Sequence, residues 1–420
     1  MQFSPQQEEA LRRVARWLEN PDKPWFYLAG YAGTGKTTLA KEFASGVGGG
    51  VCFAAYTGKA AYVLQSKGCV GATTLHRLIY KPKDKSRQRL QELQEQLDDL
   101  VHQLTAEEKI GYPDDPGNPA IAEAVSRHPQ VIKLKAEVDA ERSSLERPLF
   151  ALNLESEVRN AKLVIIDECS MVDEQMGEDL LSFQVPVLVL GDPAQLPPVR
   201  GEGFFTKREP DFLLTEIHRQ AKDNPILRLA TDVREGRGLP VGEYGDSRVI
   251  ELASADESLY LAHDQMLVGR NEMRKGCNRK IRRLRGREAP MPVPGDRLVC
   301  LRNNHEVGLL NGGIWETQDA VQIDADEIGL TLKSEDGGSP ITTTAHTHYF
   351  LGEKPPFYHI RERDCFDFGY ALTVHKSQGS QWDSVLIFDE SWFMKNLARN
   401  WMYTAITRAA KRVTIVRQRR

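Results

Sequence analysis

A chain of 420 residues is long enough for more than one core, since single cores stop growing at about 250–300 residues, and its 55 Lys+Arg against 59 Asp+Glu give a net charge of −4, with no global basic excess to mark a nucleic-acid binder. No apolar run reaches the roughly 18 residues that span a bilayer, and MQFSPQQEEALRRVARWL at the amino end has no apolar core of a secretion signal, so the expected setting is cytoplasmic. Cys52, Cys69, Cys169, Cys277, Cys300 and Cys365 form no CxxC pair, which argues against a structural zinc site or a disulfide framework and predicts reduced thiols.

Seven short apolar, β-branched runs follow in chain order: WFYLAG (25–30), GVCFAAY (50–56), KLVIIDE (162–168), VPVLVLGD (185–192), QMLVGRN (265–271), SVLIFDE (384–390) and RVTIVR (412–417). Helical stretches separate many of them, the pattern of buried parallel strands joined by crossover helices, and this predicts an α/β fold in two copies. Two segments break the pattern. Between Lys83 and Arg147, Leu90, Leu93, Leu97, Leu100 and Leu104 alternate spacings of three and four, as in a coiled-coil seam. After the turn formers YPDDPGNP (112–119) and a second break at His128-Pro129, Val131, Leu134, Val138 and Leu145 repeat that spacing, so an antiparallel helical hairpin is expected, with arms of roughly 25 residues and about 35–40 Å. This segment carries 10 basic and 14 acidic residues, which leaves the rest of the chain balanced and still able to hold a basic groove. Between Pro294 and Leu351, the Asn-Gly turn of LLNGGIWE and the stretch DADEIGLTLKSEDGGSPITTT predict a small antiparallel β module, inserted where α/β-type strands resume afterwards.

The chemistry begins at Gly30–Thr37, GYAGTGKT, which matches G-x-x-x-x-G-K-T directly after an apolar strand. In such a loop the backbone N–H groups of Gly30, Ala32, Gly33, Thr34 and Gly35, with the first helical turn through Thr38, surround phosphates; Lys36 neutralises the outer ones and Thr37 can ligate Mg²⁺. A phosphate loop alone is compatible with a kinase, a switch or a motor. KLVIIDECS narrows this, because a strand delivers Asp167 and Glu168 to the edge where open α/β sheets bind ligands. Asp167 suits a Mg²⁺ contact and Glu168 suits orienting and deprotonating water. The next strand ends in GDPAQLPPV and puts Gln195 in reach of a γ-phosphate, so three strand ends in order predict ATP hydrolysis.

GYAGTGKT, YTGKAAYVL (56–64), TTLHRL (73–78), IIDECSMV (165–172), LGDPAQLPPV (190–199), LTEIHRQ (214–220), ALTVHKSQGSQWDSV (371–385) and YTAITRAAKRV (403–413), in this order, resemble the helicase motifs of superfamily 1, most closely its RecD and phage Dda branch, superfamily 1B. The resemblance spans about residues 3 to 415 apart from the helical segment. It implies two RecA-like parallel-sheet domains with ATP between them and single-stranded DNA across their top: a first domain over 1–200 carrying the 83–147 insertion, a second over 201–293 and 352–420, and a small SH3-like β module at 294–351. It further implies that Gln7, next to Gln6 in FSPQQ, reads adenine; that Arg219 and Arg408 reach across the cleft to the γ-phosphate; and that Gln378 and Gly379 sense nucleotide. Thr57, Lys59, His76, Thr373 and His375 are implied along the strand, where hydroxyls, an ammonium and flat imidazoles suit sequence-independent contacts. Its expected partners are single-stranded DNA and single-strand/duplex junctions, in a bacterial or phage-infected cell and associated with the nucleoid, with no membrane contact. Movement 5′ to 3′ follows from the subclass.

Other features stay open in the sequence. RNEMRKGCNRKIRRLRGR (270–287), with nine basic residues and one acid, fits a phosphate-facing run or a solvated helix face. Trp315 and Trp382 are expected in loops where bases could stack, and Trp25 beside the first strand. Relatives in this branch commonly place a β-hairpin pin where this chain has its acidic helices, so that segment reads as a protein-docking arm, a reshaped wedge or an inert insertion. Two other activities also remain: an RNA-directed helicase, and an ATP-gated adaptor that binds nucleic acid without unwinding it.

Overall fold

Ser4 and Gln7 start the first helix, α1 (Pro5–Glu19). The Ser4 hydroxyl accepts from Gln7 N at 3.3 Å and Gln7 Oε1 accepts from Ser4 N at 3.0 Å, a reciprocal cap around Pro5, whose missing N–H is harmless in a first turn. The computed structural model describes residues 3–82, 87–110, 119–146, 150–197, 203–216, 224–304, 307–353 and 363–418. The chain divides into two units, Met1–Leu78 with Glu157–Arg420, and Ile79–Ser156.

In the first unit, Ala10, Val14 and Trp17 of α1 share a core with Phe26 and Leu28 of β1 (Trp25–Gly30). Then come α2 (Lys36–Val47), β2 (Val51–Ala55), α3 (Gly58–Ser66), β3 (Thr73–Thr74) and α4 (Leu75–Ile79). The second unit, an insertion, holds β4 (Tyr80–Pro82), α5 (Arg87–Ile110), α6 (Pro119–Arg127), α7 (Pro129–Glu146) and β5 (Phe150–Leu152). Leu90 and Leu93 of α5 cluster with Val138 of α7, whereas Leu97, Leu100, Val101 and Leu104 cluster with Ile121 and Val125 of α6 and Val131 of α7. The return limb is two helices divided at the His128-Pro129 break read from the sequence, where proline lacks an N–H and disfavours helix in the residue before it. An antiparallel ribbon, Tyr80↔Leu152 to Pro82↔Phe150, closes the base of the insertion and lies outside the 83–147 limits read from sequence. The side chain of Leu145, expected on the seam, is outside the described residues.

The first unit resumes with β6 (Leu163–Asp167), α8 (Glu174–Leu181), β7 (Val187–Gly191) and β8 (Phe212–Leu214), completing a six-stranded sheet in the order β3-β2-β6-β7-β1-β8. Every pairing is parallel, so the carboxyl ends of β1, β2, β6 and β7 emerge along one edge, at Gly30, Ala55, Asp167 and Gly191. Helix-bearing crossovers cover both faces, which is why these strands read as unbroken apolar runs. Strand β8 carries this sheet past residue 200, the boundary expected for the first domain.

A second six-stranded sheet is built from β9 (Gly242–Tyr244), β10 (Ser247–Glu251), β11 (Gln265–Val268) and three later strands, with α9 (Pro225–Arg234) before it and α10 (Asn271–Leu284) after β11. Then β12 (Arg297–Cys300), β13 (Ile314–Gln322), β14 (Glu327–Ser334), β15 (Ile341–His346), α11 (His348–Leu351) and β16 (Phe366–Phe368) form the β module. Its sheet is antiparallel, β15-β14-β13-β12-β16. The last strand comes from beyond Leu351, because Phe366 and Phe368 complete the module's core with Leu298, Leu330 and Leu332. The chain returns to the second sheet as β17 (Ala371–Thr373), β18 (Trp382–Phe388), α12 (Ala398–Ile406) and β19 (Ala409–Arg417), in the order β17-β11-β18-β19-β10-β9, parallel except for the β9–β10 edge hairpin. No helix among the described residues is long and apolar enough to cross a membrane.

Several cations of the basic run on α10 are tied to acids, whereas Arg279, Arg283 and Arg285 are exposed. Arg270 pairs with the fully buried Glu390 at 2.8 Å, Arg274 with Asp367 at 2.8 Å and Lys280 with Glu257 at 3.2 Å. Arg282 grips the fully buried Asp296 with Nε and Nη2 and donates to Ala289 O and Met291 O, joining α10 to the base of the β module. Arg282→Ala would leave that carboxylate to Arg287 at 3.5 Å, the Tyr370 hydroxyl and Val293 N, and a loss of about 2–3 kcal/mol in unfolding free energy is expected in a denaturant titration. A variant as stable as wild type would contradict the clamp.

Candidate active site

The phosphate loop fits its packing closely. A Cβ at Gly30 would come within 2.7 Å of Thr34 Oγ1, and Gly33 and Gly35 hold φ of 80° and 84°, the left-handed region glycine tolerates. Gly35 is the N-cap of α2 and supplies no side-chain cap, so the amides of the first turn, through Lys36, Thr37 and the exposed Thr38, keep their hydrogen-bonding capacity for an anion. Lys36 Nζ lies across the loop and donates to Gly30 O and, at 3.2 Å, to Tyr31 O. The buried Gln7 donates from Nε2 to Thr34 O at 3.0 Å, so α1 is tied to the loop; Gln6 instead holds Thr215 and Glu216 at the end of β8.

At the neighbouring strand ends, Thr37 Oγ1 lies 3.4 Å from Asp167 Oδ2, a hydroxyl and a carboxylate converging as hard-oxygen ligands do. Glu168 follows with φ 56°, a strained conformation for a residue with a Cβ. It is half-buried, and desolvation raises its carboxyl above the ordinary range, with Arg408 and Lys36 pulling the other way and Asp167 adding to the rise. Gln195 is 7% exposed, and its Oε1 is buried without a hydrogen-bond partner among the described residues.

The second sheet supplies the opposite wall through α12 and the loop after β17. Asn400 Nδ2 donates to Ala194 O and Gln195 O, Thr404 Oγ1 accepts from Leu196 N at 2.8 Å, and Gln378 Nε2 donates to Leu196 O at 3.0 Å. The other end of the Gln378 amide, Oε1, is again a buried acceptor without a partner. Gly379, at φ 77°, lets this loop approach α3, since a Cβ there would come within 2.8 Å of Thr57 Oγ1. Arg408 follows α12 at 6% exposure, donating to Thr404 O, Ser380 O and Thr407 Oγ1 at 3.2–3.3 Å and forming no ion pair with any described acid. Its positive charge opposes the rise that burial gives the Glu168 carboxyl. Arg219 lies in 217–223, outside the described residues.

The residues implied along the strand are less uniform. Thr57 caps α3, its Oγ1 accepting from Ala60 N at 3.1 Å. Lys59 is ion-paired with Asp336, from the turn between β14 and β15, and Tyr62 donates to Asp336 O at 3.2 Å. Thr373 ends β17 at 7% exposure with its hydroxyl not used as a cap. His375 and His76 are half-buried, and burial lowers both imidazole pKa values, favouring neutral rings. Trp315 and Trp382 lie in strands, not loops: Trp315 is in the β-module core at 6% exposure, where no base can stack, and Trp382 opens β18 against the second sheet's core. Trp25 packs on Phe204 and Phe205 under Arg208. Missed in the sequence were Asn400, Tyr403 and Thr404, whose spacing of three and four on one face of a short helix was the available signal.

Comparison with known proteins bears on the family and the fold. The family described as AAA domain matches residues 2–255, and the UvrD-like helicase C-terminal domain matches 368–416. The ATP-dependent RecD2 DNA helicase of Deinococcus radiodurans is 27% identical over 280 residues, covering 60% of this chain and 35% of that protein. The RecBCD enzyme subunit RecD of Mycolicibacterium smegmatis is 27% identical over 289 residues, covering 60% of this chain and 50% of its own length. The chain therefore spans half or less of these curated relatives. Two solved structures of Bacteroides Pif1, one bound to ssDNA and one in complex with ADP-AlF3 and ssDNA, align over 99% of this chain and 92% of theirs with a TM-score of 0.52, at 16% and 17% identity, and so share the fold.

Proposed function

The chain belongs to the AAA domain family, in its superfamily 1B RecD/Pif1-like branch, and from that premise we propose that it is an ATP-dependent DNA helicase moving 5′ to 3′ on single strands. One observation carries the reading: Arg408 is a buried guanidinium whose donors meet only Thr404 O, Ser380 O and Thr407 Oγ1, without an acidic partner among the described residues. A buried cation held only by neutral oxygens is costly unless an anion completes it, and a transferring phosphoryl group is such an anion.

In this reading Lys36 and the loop amides bind the phosphates, Glu168 takes the proton of the attacking water, and Gln7 reads the base only after exchanging its bonds to Ser4 N and Thr34 O. Gln195 senses the γ-phosphate, Gln378 and Gly379 sense nucleotide, and Arg408 with Arg219 completes the site as the lobes close. Thr37 and Asp167 would hold Mg²⁺, which when bound neutralises phosphate charge. Thr57, Lys59, His76, Thr373 and His375 line the single strand. Lys59 must first exchange Asp336 for a phosphate. The domain limits proposed are 1–200 with the 83–147 insertion, 201–293 with 352–420, and an SH3-like module at 294–351, adjusted for β8 and β16 as described. The acidic insertion is proposed as a protein-docking arm, and the setting as the cytoplasm, on nucleoid DNA and its single-strand/duplex junctions.

The test is steady-state ATP hydrolysis with DNA oligomers, RNA oligomers or neither. DNA is expected to stimulate, and Lys36→Ala to lower the stimulated rate by about 10²-fold or more, because it removes the fixed charge facing the phosphates. Stimulation by RNA alone would redirect the reading to RNA, and indifference to both would remove the motor.

A further inference from the structure

Tyr403 lies on α12 at 2% exposure, and its hydroxyl joins three parts of the site. It donates to Asp192 Oδ2 at 2.7 Å, just after β7, and accepts from Ala32 N at 2.9 Å, the third residue of the phosphate loop. Asn400 and Thr404, on the same face, hold Ala194 O, Gln195 O and Leu196 N, and the chain reaches Arg408 five residues after Tyr403. A second contact grips the loop from the same side: the Arg234 guanidinium of α9 stacks over the Tyr31 ring at 3.8 Å. The ring of Tyr403 sits among apolar core residues that a phenylalanine would satisfy equally well. What the hydroxyl adds is a tie between the loop of one sheet and the helix of the other. Asp192, itself 2% exposed, has its other oxygen occupied by Ala194 N at 3.0 Å and is thereby fixed as the acceptor.

We propose that Tyr403 is a positioning residue of the hydrolysis site: through its hydroxyl the phosphate loop and Asp192 set where the helix preceding Arg408 stands, and hence where that guanidinium meets the γ-phosphate side of the loop. The inference rests on the ATP-hydrolysis reading above. It concerns geometry between the lobes, so it bears on turnover and not on nucleotide capture, which belongs to the loop and α2.

The experiment compares wild type with Tyr403→Phe, Asp192→Ala and the double variant, reading kcat and KM for DNA-stimulated ATP hydrolysis, base pairs displaced per ATP hydrolysed, and thermal unfolding. The expected result for Tyr403→Phe is a kcat lower by about 10–100-fold with KM within about threefold, since a misplaced catalytic group costs about 10²-fold without loss of binding. The yield of displaced base pairs per ATP falls with it. The double variant is no slower than the slower single, because both remove one tie. Should Tyr403→Phe fail to fold, Asp192→Ala tests the same tie from the acid side. A merely structural hydroxyl lowers the melting temperature and leaves kcat, KM and coupling unchanged, and that outcome overturns the proposal while the functional reading stands. A wild-type chain with no DNA-stimulated hydrolysis overturns the functional reading and this inference with it.

Discussion

Arg408→Ala lowers the DNA-stimulated rate of ATP hydrolysis by about 10³–10⁵-fold, the range over which an arginine supplied to a transferring phosphoryl group acts. The guanidinium is 6% exposed and its three donors meet two backbone carbonyls and a hydroxyl, none of them charged. Such a group does little for the resting fold, so the variant keeps its stability and its nucleotide affinity while turnover collapses. Arg408→Lys recovers little, because an ammonium cannot present the planar fork that a phosphoryl group accepts from two sides. Comparison of kcat with nucleotide affinity from a fluorescent analogue checks this. An Arg408→Ala enzyme retaining a tenth or more of wild-type kcat contradicts the role.

Glu168→Gln carries the second large effect. Its carboxylate stands at the end of β6 in a strained conformation, one residue beyond the Asp167 that meets Thr37. An amide of the same shape fills the same space and accepts no proton, so kcat is expected to drop by about 10²–10⁴-fold, the usual worth of a positioned general base. Phosphate release in a single turnover separates this loss from weakened binding. An unchanged rate would mean that the attacking water is activated elsewhere.

How far these sites can be read in advance depends on the physics of each element. The seven apolar runs are legible because strands buried on both faces carry no polar interruption, and a parallel sheet then forces Gly30, Asp167 and Gly191 to one edge without further information. Strands β3, β8, β9 and β17 are two or three residues long, below what hydrophobic periodicity resolves, and are held by neighbouring strands instead. β16 is equally short, and its place in the β module depends on Phe366 and Phe368 finding Leu298 and Leu332, contacts remote in sequence. The cations of α10 read as surface charge because their acids, Glu390, Asp367 and Asp296, arrive from three separate segments. Lys59 is legible as a cation near the track, but Asp336, 277 residues away, is not legible as its partner. Within the active site, the phosphate loop and its acidic strand end follow from local sequence. The tie through Tyr403 does not, since a tyrosine on an apolar helix looks like core until Asp192 and Ala32 are brought to it.

The central claim, that hydrolysis between the two sheets drives movement along a single strand, is tested most directly by displacement of one strand from duplexes bearing a 5′ or a 3′ single-stranded tail, with and without ATP. The account predicts ATP-dependent release from 5′-tailed duplexes, lost in Arg408→Ala. Release confined to 3′ tails, or ATP consumed on 5′-tailed duplexes with no strand ever displaced, would contradict it.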